Sequence, residues 1–198
     1  MAIVVEHDKR KHEILERALE VFVEEGYEDV TFQKIADRCG ITRTTLYIYF
    51  KNKREIFVWS IKQLTAGIEV ELVSTIEDKK LSNEEKLRKM LSVVVDACEE
   101  NKKLFSILLS YLLALQKTGG DPALRVRRRL VRLQHLLNTV IIRGIKGGEF
   151  KQVSVKTANE MFYGLVQSAI FRLSVLDEKN IDDIRDTLNM AVDGILNK

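Results

Sequence analysis

An all-α fold of about nine helices is what this sequence predicts, and three observations carry that prediction. The 198 residues contain one proline, Pro122, and only ten glycines, so little interrupts a helix. Apolar residues recur at steps of three and four along almost the whole chain, the period of a helix with one buried face. Between these stretches stand cap residues and glycines, placed where helix ends need them.

The first helix is expected from about His7 to Glu25, with Ile14, Leu15, Ala18, Val21 and Phe22 on its apolar face and Gly26 at its C-terminal end. Thr31 caps a short second helix carrying Phe32, Ile35 and Ala36 up to the turn at Gly40, and Thr42 caps a short third. Asn52 with Glu55 has the spacing of a capping box and opens a long fourth helix through Ile56, Trp59, Ile61, Leu64, Ile68 and Leu72. Ser82 with Glu85 repeats that signature for a helix ending near Asn101, and a nearly continuous apolar run from Leu104 to Leu115 makes the next, stopped by Gly119 and Gly120. Asp121 and Pro122 restart the chain into a helix reaching Gly147 and Gly148. Ser154 then caps one with Ala158, Met161, Phe162, Leu165, Val166, Ala169, Ile170 and Leu173 on a broad apolar face, and a last helix begins near Asp182. Helix 4 serves as the joint between an N-terminal domain of residues 1–53 and a C-terminal domain of residues 54–198.

Composition narrows the class of function. The N-terminus has no signal-peptide pattern and nowhere do eighteen apolar residues run together, so the expected location is cytoplasmic and away from membranes. Cys39 and Cys98, far apart and outside any C-x-x-C, read as reduced core thiols. The net charge of +3 is unremarkable, but its distribution is not. Residues 31–54 hold Lys34, Arg38, Arg43, Lys51, Lys53 and Arg54 against the single acid Asp37, directly after a thirty-residue stretch with five more acids than lysines and arginines. A basic patch confined to one short segment is the footprint of a phosphate-facing surface.

That segment, TFQKIADRCGITRTTLYIYFKNKR, also has the layout of a helix-turn-helix: two short helices around a glycine turn, held on helix 1 by Ile35, Ile41, Leu46 and Phe50. The outward side of its second helix presents Arg43, Thr44, Thr45 and Tyr47, with Tyr49 just beyond. Arginine can bond guanine with two parallel N–H groups, threonine offers a hydroxyl or a methyl to base edges, and tyrosine hydroxyls suit phosphates.

Residues 9–57 resemble the DNA-binding domain of the TetR/AcrR family of transcriptional regulators. The resemblance lies in Phe22 to Tyr27, in Thr31 with Ile35 and Ala36, in Gly40-Ile41-Thr42, and in Thr45-Leu46-Tyr47-x-Tyr49-Phe50-x-Asn52-Lys53. It implies base contacts from Thr42, Arg43 and Thr44 and phosphate contacts from Thr31, Thr45, Tyr47, Tyr49 and Lys53. Thr44 departs from the glycine, alanine or proline that many members carry. The family's function implies a ligand-responsive regulator, most often a repressor, that binds palindromic double-stranded DNA as a homodimer and is released by a small-molecule effector.

The helices near 122–147 and 154–175 resemble the family's four-helix dimer bundle, which places the interface on Leu133, Leu137, Val140, Gly144, Phe162, Leu165 and Ala169. Gly144, Gly164 and Ser168 would permit close helix approach. The five arginines at 125, 127, 128, 129 and 132 read as a solvated, salt-bridged face. An effector pocket would draw on Trp59, Phe105, Tyr111, Phe162 and Tyr163 with the polar Gln116, His135 and Gln167, and its ligand class is not readable from the residues. No cofactor, metal cluster or nucleophile with a base is visible, which argues against an enzyme: His7, His12 and His135 are scattered, and Gly147-Gly148 lacks the lysine and serine of a phosphate loop. The alternative, a helical dimeric adaptor or enzyme-like domain without DNA binding, leaves Thr31, Tyr47, Tyr49 and Lys53 unexplained.

Overall fold

The computed structural model describes residues 2–197, with the side chains of 6–121 and 131–197. Among these, nine helices follow one another: α1 (Ala2–Glu25), α2 (Phe32–Arg38), α3 (Arg43–Tyr49), α4 (Lys53–Glu77), α5 (Asn83–Glu100), α6 (Lys102–Lys117), α7 (Pro122–Lys146), α8 (Val155–Ser174) and α9 (Asp182–Ile195). The helix count and almost every boundary agree with the sequence pattern. Helix α1 starts earlier than the expected His7, because no glycine or proline stands between Ala2 and His7 to stop it. None of the described helices is long and apolar enough to cross a membrane.

The caps explain why the boundaries were readable. The hydroxyl of Thr31 accepts from the Lys34 N–H at 3.2 Å, that of Thr42 from Thr45 at 3.0 Å and that of Ser154 from Thr157 at 3.3 Å. Ser82 and Glu85 close the reciprocal capping box in full. Asn52 accepts from the Glu55 N–H at 2.9 Å, but the Glu55 carboxylate reaches back to the N–H of Lys51 at 2.6 Å, one residue beyond the expected partner. At the α2–α3 turn, Gly40 sits at φ +64°, and the N–H groups of Gly40 and Ile41 donate to the carbonyls of Asp37 and Ala36. This is a Schellman ending, and its left-handed residue strains any side chain, which is why glycine stands there.

The chain forms two compact units. The first comprises Met1–Gly67 with Ile107–Leu112 of α6. Its core is Ile14, Leu15, Ala18, Phe22, Ile35, Leu46, Phe50, Ile56 and Phe57, all essentially inaccessible, with the Ser60 hydroxyl donating to the Leu15 carbonyl at 2.9 Å. Tyr111, carried in by α6, closes an aromatic cluster with Tyr27 and Phe57 at ring distances of 4.8 and 5.2 Å. Burial and the neighbouring Tyr111 push the Tyr27 phenol up to about 12.

The second unit comprises Ile68–Ser106 and Leu113–Lys198. Helices α5, α7, α8 and α9 pack around Leu87, Met90, Val95, Leu137, Val140, Phe162, Ala169 and Val192. Cys98 is buried in the same core, which raises its thiol to about 12. Two ionic clamps fix α9 to α5: Arg88 bonds Glu84, Asn189 and Asp193, and Arg185 bonds Asp96 and Glu99. The Glu149 carboxylate accepts from the N–H groups of Asn83 and Glu84 at 2.8 and 3.1 Å, capping α5 from a loop more than sixty residues on.

Candidate nucleic-acid interface

Helices α2 and α3 are each seven residues long, too short to stand alone, and their inner residues Phe32, Ile35, Ala36 and Leu46 are buried in the first unit. With Leu46 facing inward, Thr44 and Ile48 fall on the opposite pole, at about 3.6 residues per turn, flanked by Arg43 and Tyr47. Of the predicted contact residues, Thr31, Thr42, Arg43, Thr44 and Tyr47 are exposed, and Thr45 and Tyr49 are half-exposed. The N-cap hydroxyl of Thr42 lies 2.8 Å from that of Thr45.

The aromatic and cationic side chains are positioned before any partner arrives. Arg43 donates to the Tyr47 hydroxyl at 3.2 Å and lies over its ring, which in turn packs on Phe32 at 4.5 Å. Tyr49 stacks on His7 of α1 at 4.7 Å. Lys53 donates to the carbonyls of Tyr27 and Glu28 at 2.8 and 3.0 Å, with its ammonium over the Tyr27 ring. It therefore clasps the α1–α2 connection as well as standing at the start of α4. Two further cations of the basic segment turn back to α1: Lys34 pairs with Glu25, and Arg38 with Glu24 and Glu20. Those carboxylates hold the Arg38 guanidinium above its ordinary range, and Arg38 holds Glu24 below its own. The local positive charge is thus smaller on the surface than in the sequence. Sequence reasoning passed over Ile48, 70% exposed on the outward pole of α3; the signal that finds it is its place opposite Leu46.

The residues expected around an effector are divided between the two units. Trp59 belongs to the first unit, with Lys11 and Lys62 against its ring at 4.6 and 4.0 Å, and Tyr111 belongs to that unit's aromatic cluster. In the second unit, Phe162 is fully buried in the core and Phe105 packs against it, whereas Gln116, His135 and Gln167 are exposed. Burial raises the half-exposed Tyr163 phenol, which is bonded to Gln167. A solvent-open groove of about 550 Å³ between α5 and α9 contains none of these residues.

The expected dimer residues divide into a buried and a partly exposed group. Leu137, Val140, Phe162 and Ala169 are buried in the chain's own core. Gly144 accommodates an intramolecular neighbour: a Cβ there would lie 2.2 Å from the Phe150 ring. Leu133 and Leu165 are half-buried at the core's edge. Toward solvent α8 exposes Met161, Gly164 and Phe171 with half-exposed Ser168, beside the polar Glu160 and Gln167, and Val175 just past its C-terminus is exposed too; open space surrounds Gly164. The arginines at 125, 127, 128 and 129 lie outside the described side chains; Arg132 pairs with Glu69 at 2.7 Å.

Comparison with known proteins accounts for both units. The sequence profile of bacterial regulatory proteins of the tetR family matches residues 14–58, and that of the tetracyclin repressor-like C-terminal domain matches residues 80–170. The fatty acid metabolism regulator protein of Bacillus subtilis (strain 168) is 26% identical over 196 residues, covering 94% of this chain and 95% of that protein. Among solved structures, a TetR transcription regulator from Haloarcula marismortui superposes with a TM-score of 0.84 at 22% identity, covering 96% of this chain and 99% of that one. The transcriptional regulator FadR from Bacillus subtilis, solved in complex with stearoyl-CoA, gives 0.72 at 24% identity, covering 91% and 95%. The helix-turn-helix of α2 and α3, the nine-helix layout and the two profiles agree: this chain belongs to the TetR family and is a DNA-binding, ligand-responsive transcriptional regulator.

Proposed function

We propose that the protein is a repressor that binds a palindromic operator as a homodimer and leaves it when a long-chain acyl-CoA thioester binds the C-terminal domain. Residues 1–53 read the DNA and residues 54–198 sense and dimerise. The observation that carries the effector class is the similarity over nearly the whole chain to a fatty acid metabolism regulator, together with a similarly folded regulator that binds stearoyl-CoA. Arg43 and Thr44, with the N-cap Thr42, face base edges, while Thr31, Thr45, Tyr47, Tyr49 and Lys53 face phosphates. A regulator with this task works in the cytoplasm, where the chromosome lies.

Two-fold pairing supplies what one seven-residue reading helix lacks, since doubling it doubles the base pairs read. The pairing surface is the stripe of Met161, Gly164, Ser168 and Phe171 on α8 with Val175 just past its end. Helix α4, continuous from Lys53 to Glu77, carries a displacement at the effector end to the reading end. Release is then a population shift toward dimers whose reading helices no longer match successive major grooves.

Linkage supplies the test. Stearoyl-CoA titrated calorimetrically into the dimer should bind more weakly when operator is present, by the same factor, about 5- to 150-fold, by which it weakens operator binding. Equal affinities with and without operator would overturn the release mechanism, and no binding of acyl-CoA in either state would overturn the effector class.

A further inference from the structure

We propose that Ile48 is a specificity-determining residue that reads the 5-methyl group of a thymine in each operator half-site. The inference rests on the DNA-reading role of α3 proposed above and adds a contact that the polar side chains of that helix cannot make. Ile48 is 70% exposed on the pole of α3 opposite the fully buried Leu46, one turn after Thr44 and beside the half-exposed ring of Tyr47. Its position costs helix stability twice over: a β-branched residue is a poor helix former, and here its side chain has no packing return within the chain. A single exposed aliphatic residue elsewhere on a surface would need no explanation. Here it occupies the centre of the surface that enters a major groove, where each neighbour is a hydrogen-bond donor or acceptor.

The major groove offers one apolar feature, the thymine methyl, and it is met by aliphatic side chains. The neighbours of Ile48 fix its role by exclusion. On one flank Arg43, one of whose N–H groups bonds the Tyr47 hydroxyl, offers its remaining donors to polar base edges. On the other, Tyr49 is stacked against His7. Thr44 precedes Ile48 by one turn on the same stripe, so the two meet neighbouring base pairs as a polar and an apolar contact. The Ile48 side chain has no hydrogen-bonding atom, so the methyl is the base-edge group it can recognise.

The test is a cycle between one side chain and one methyl group. Operator sequences are selected from a random duplex pool with the full-length protein, and each thymine of a half-site is replaced in turn by deoxyuridine, which lacks only the methyl. For the wild type, one replacement should weaken binding about fourfold per half-site and about fifteenfold when both half-sites are changed, the value of one buried methyl-sized group each. Ile48→Ala should bind the thymine operator about as weakly as the wild type binds the deoxyuridine one, and should be indifferent to that replacement. Because Ile48 is exposed and alanine is the better helix former, the variant keeps its core, which a melting temperature unchanged or slightly raised verifies. A wild type insensitive to every replacement, or a variant that loses as much as the wild type at the same thymine, overturns the assignment. A pool that yields no preferred sequence overturns DNA reading by α3 itself, and is thereby distinguishable from failure at Ile48 alone.

Discussion

Two outward helix faces, that of α3 in the first unit and that of α8 in the second, are comparably exposed and chemically opposite. The face of α3 presents Arg43, Thr44 and Tyr47, with arginine and tyrosine already bonded to each other, and a single aliphatic residue among them. The face of α8 presents Met161 and Phe171 on either side of Gly164, with Phe171 52% exposed, Val175 exposed just past the helix end and Gln167 as a polar neighbour. A surface meant for a charged polymer keeps its polar groups oriented and spends little apolar area, whereas one meant for a second copy of itself leaves apolar area uncovered and small residues at the centre. The difference teaches that exposure alone does not mark a function; what the exposed groups are tied to does.

The strongest way to break the comparison is to put a charge into the apolar face. Phe171→Glu should convert the dimer to monomers in light scattering and cost operator affinity about a hundredfold or more, because two linked half-site contacts become one. If the variant stays dimeric with unchanged affinity, α8 does not form the pairing surface. Next in size is Arg43→Ala, which should cost about 1 to 3 kcal/mol of operator affinity and relax preference at one base pair per half-site. A uniform loss across all sequences in a specificity profile would make Arg43 a phosphate contact instead.

Smaller again, Lys53→Ala should weaken binding to all sequences alike and reduce the salt slope by about one. Because the Lys53 ammonium also bonds the carbonyls of Tyr27 and Glu28, the same variant should lose about 1 kcal/mol of stability, visible as a lower melting temperature. An unchanged salt slope with lowered stability would leave Lys53 as a clasp only.

The smallest effect distinguishes the units by pH. Burial raises Cys98 from 9.0 and Tyr27 from 10.0, each to about 12, so both stay neutral in the folded protein while the unfolded chain ionises first. Stability should therefore be level in this respect below about pH 9 and fall as pH rises toward 12. The loss should begin near pH 9 in both units, from Cys98 in the second and the buried Cys39 in the first, and Tyr27 should add to it in the first unit from near pH 10. Cys98→Ala should lessen the earlier part of the decline, with Cys39 supplying the remainder, as followed by denaturant titration at successive pH values; a decline unaltered by the substitution would show that Cys98 is not a source of it.

Much of this architecture was legible because its signals are local. A threonine or serine three residues before the N–H that donates to its hydroxyl, or a glycine that must take positive φ, is written within one turn of chain, so Thr31, Gly40, Thr42, Ser82 and Ser154 marked helix ends unaided. The exposed face of α3 followed from the same short-range geometry. The second unit was less legible because an apolar stripe states that something covers it without stating what. Leu137, Val140, Phe162 and Ala169 are covered by the chain's own helices, while Met161 and Phe171 on the same α8 are not. Tyr111 looked like a pocket residue, and only the tertiary path of α6 puts it among Tyr27 and Phe57. Lys53 was read for its charge; its bonds to two carbonyls some twenty-five residues earlier have no sequence signal.

The central claim is sequence-specific DNA reading by this chain, and the most direct measurement is fluorescence anisotropy of the full-length protein on duplex DNA from upstream of its own coding region, since such regulators often act near their own genes. Binding should be at least a thousandfold tighter than to random duplex at the same salt, with two chains per site. Affinity no better than for random DNA, both there and for every sequence recovered from a random pool, would contradict it.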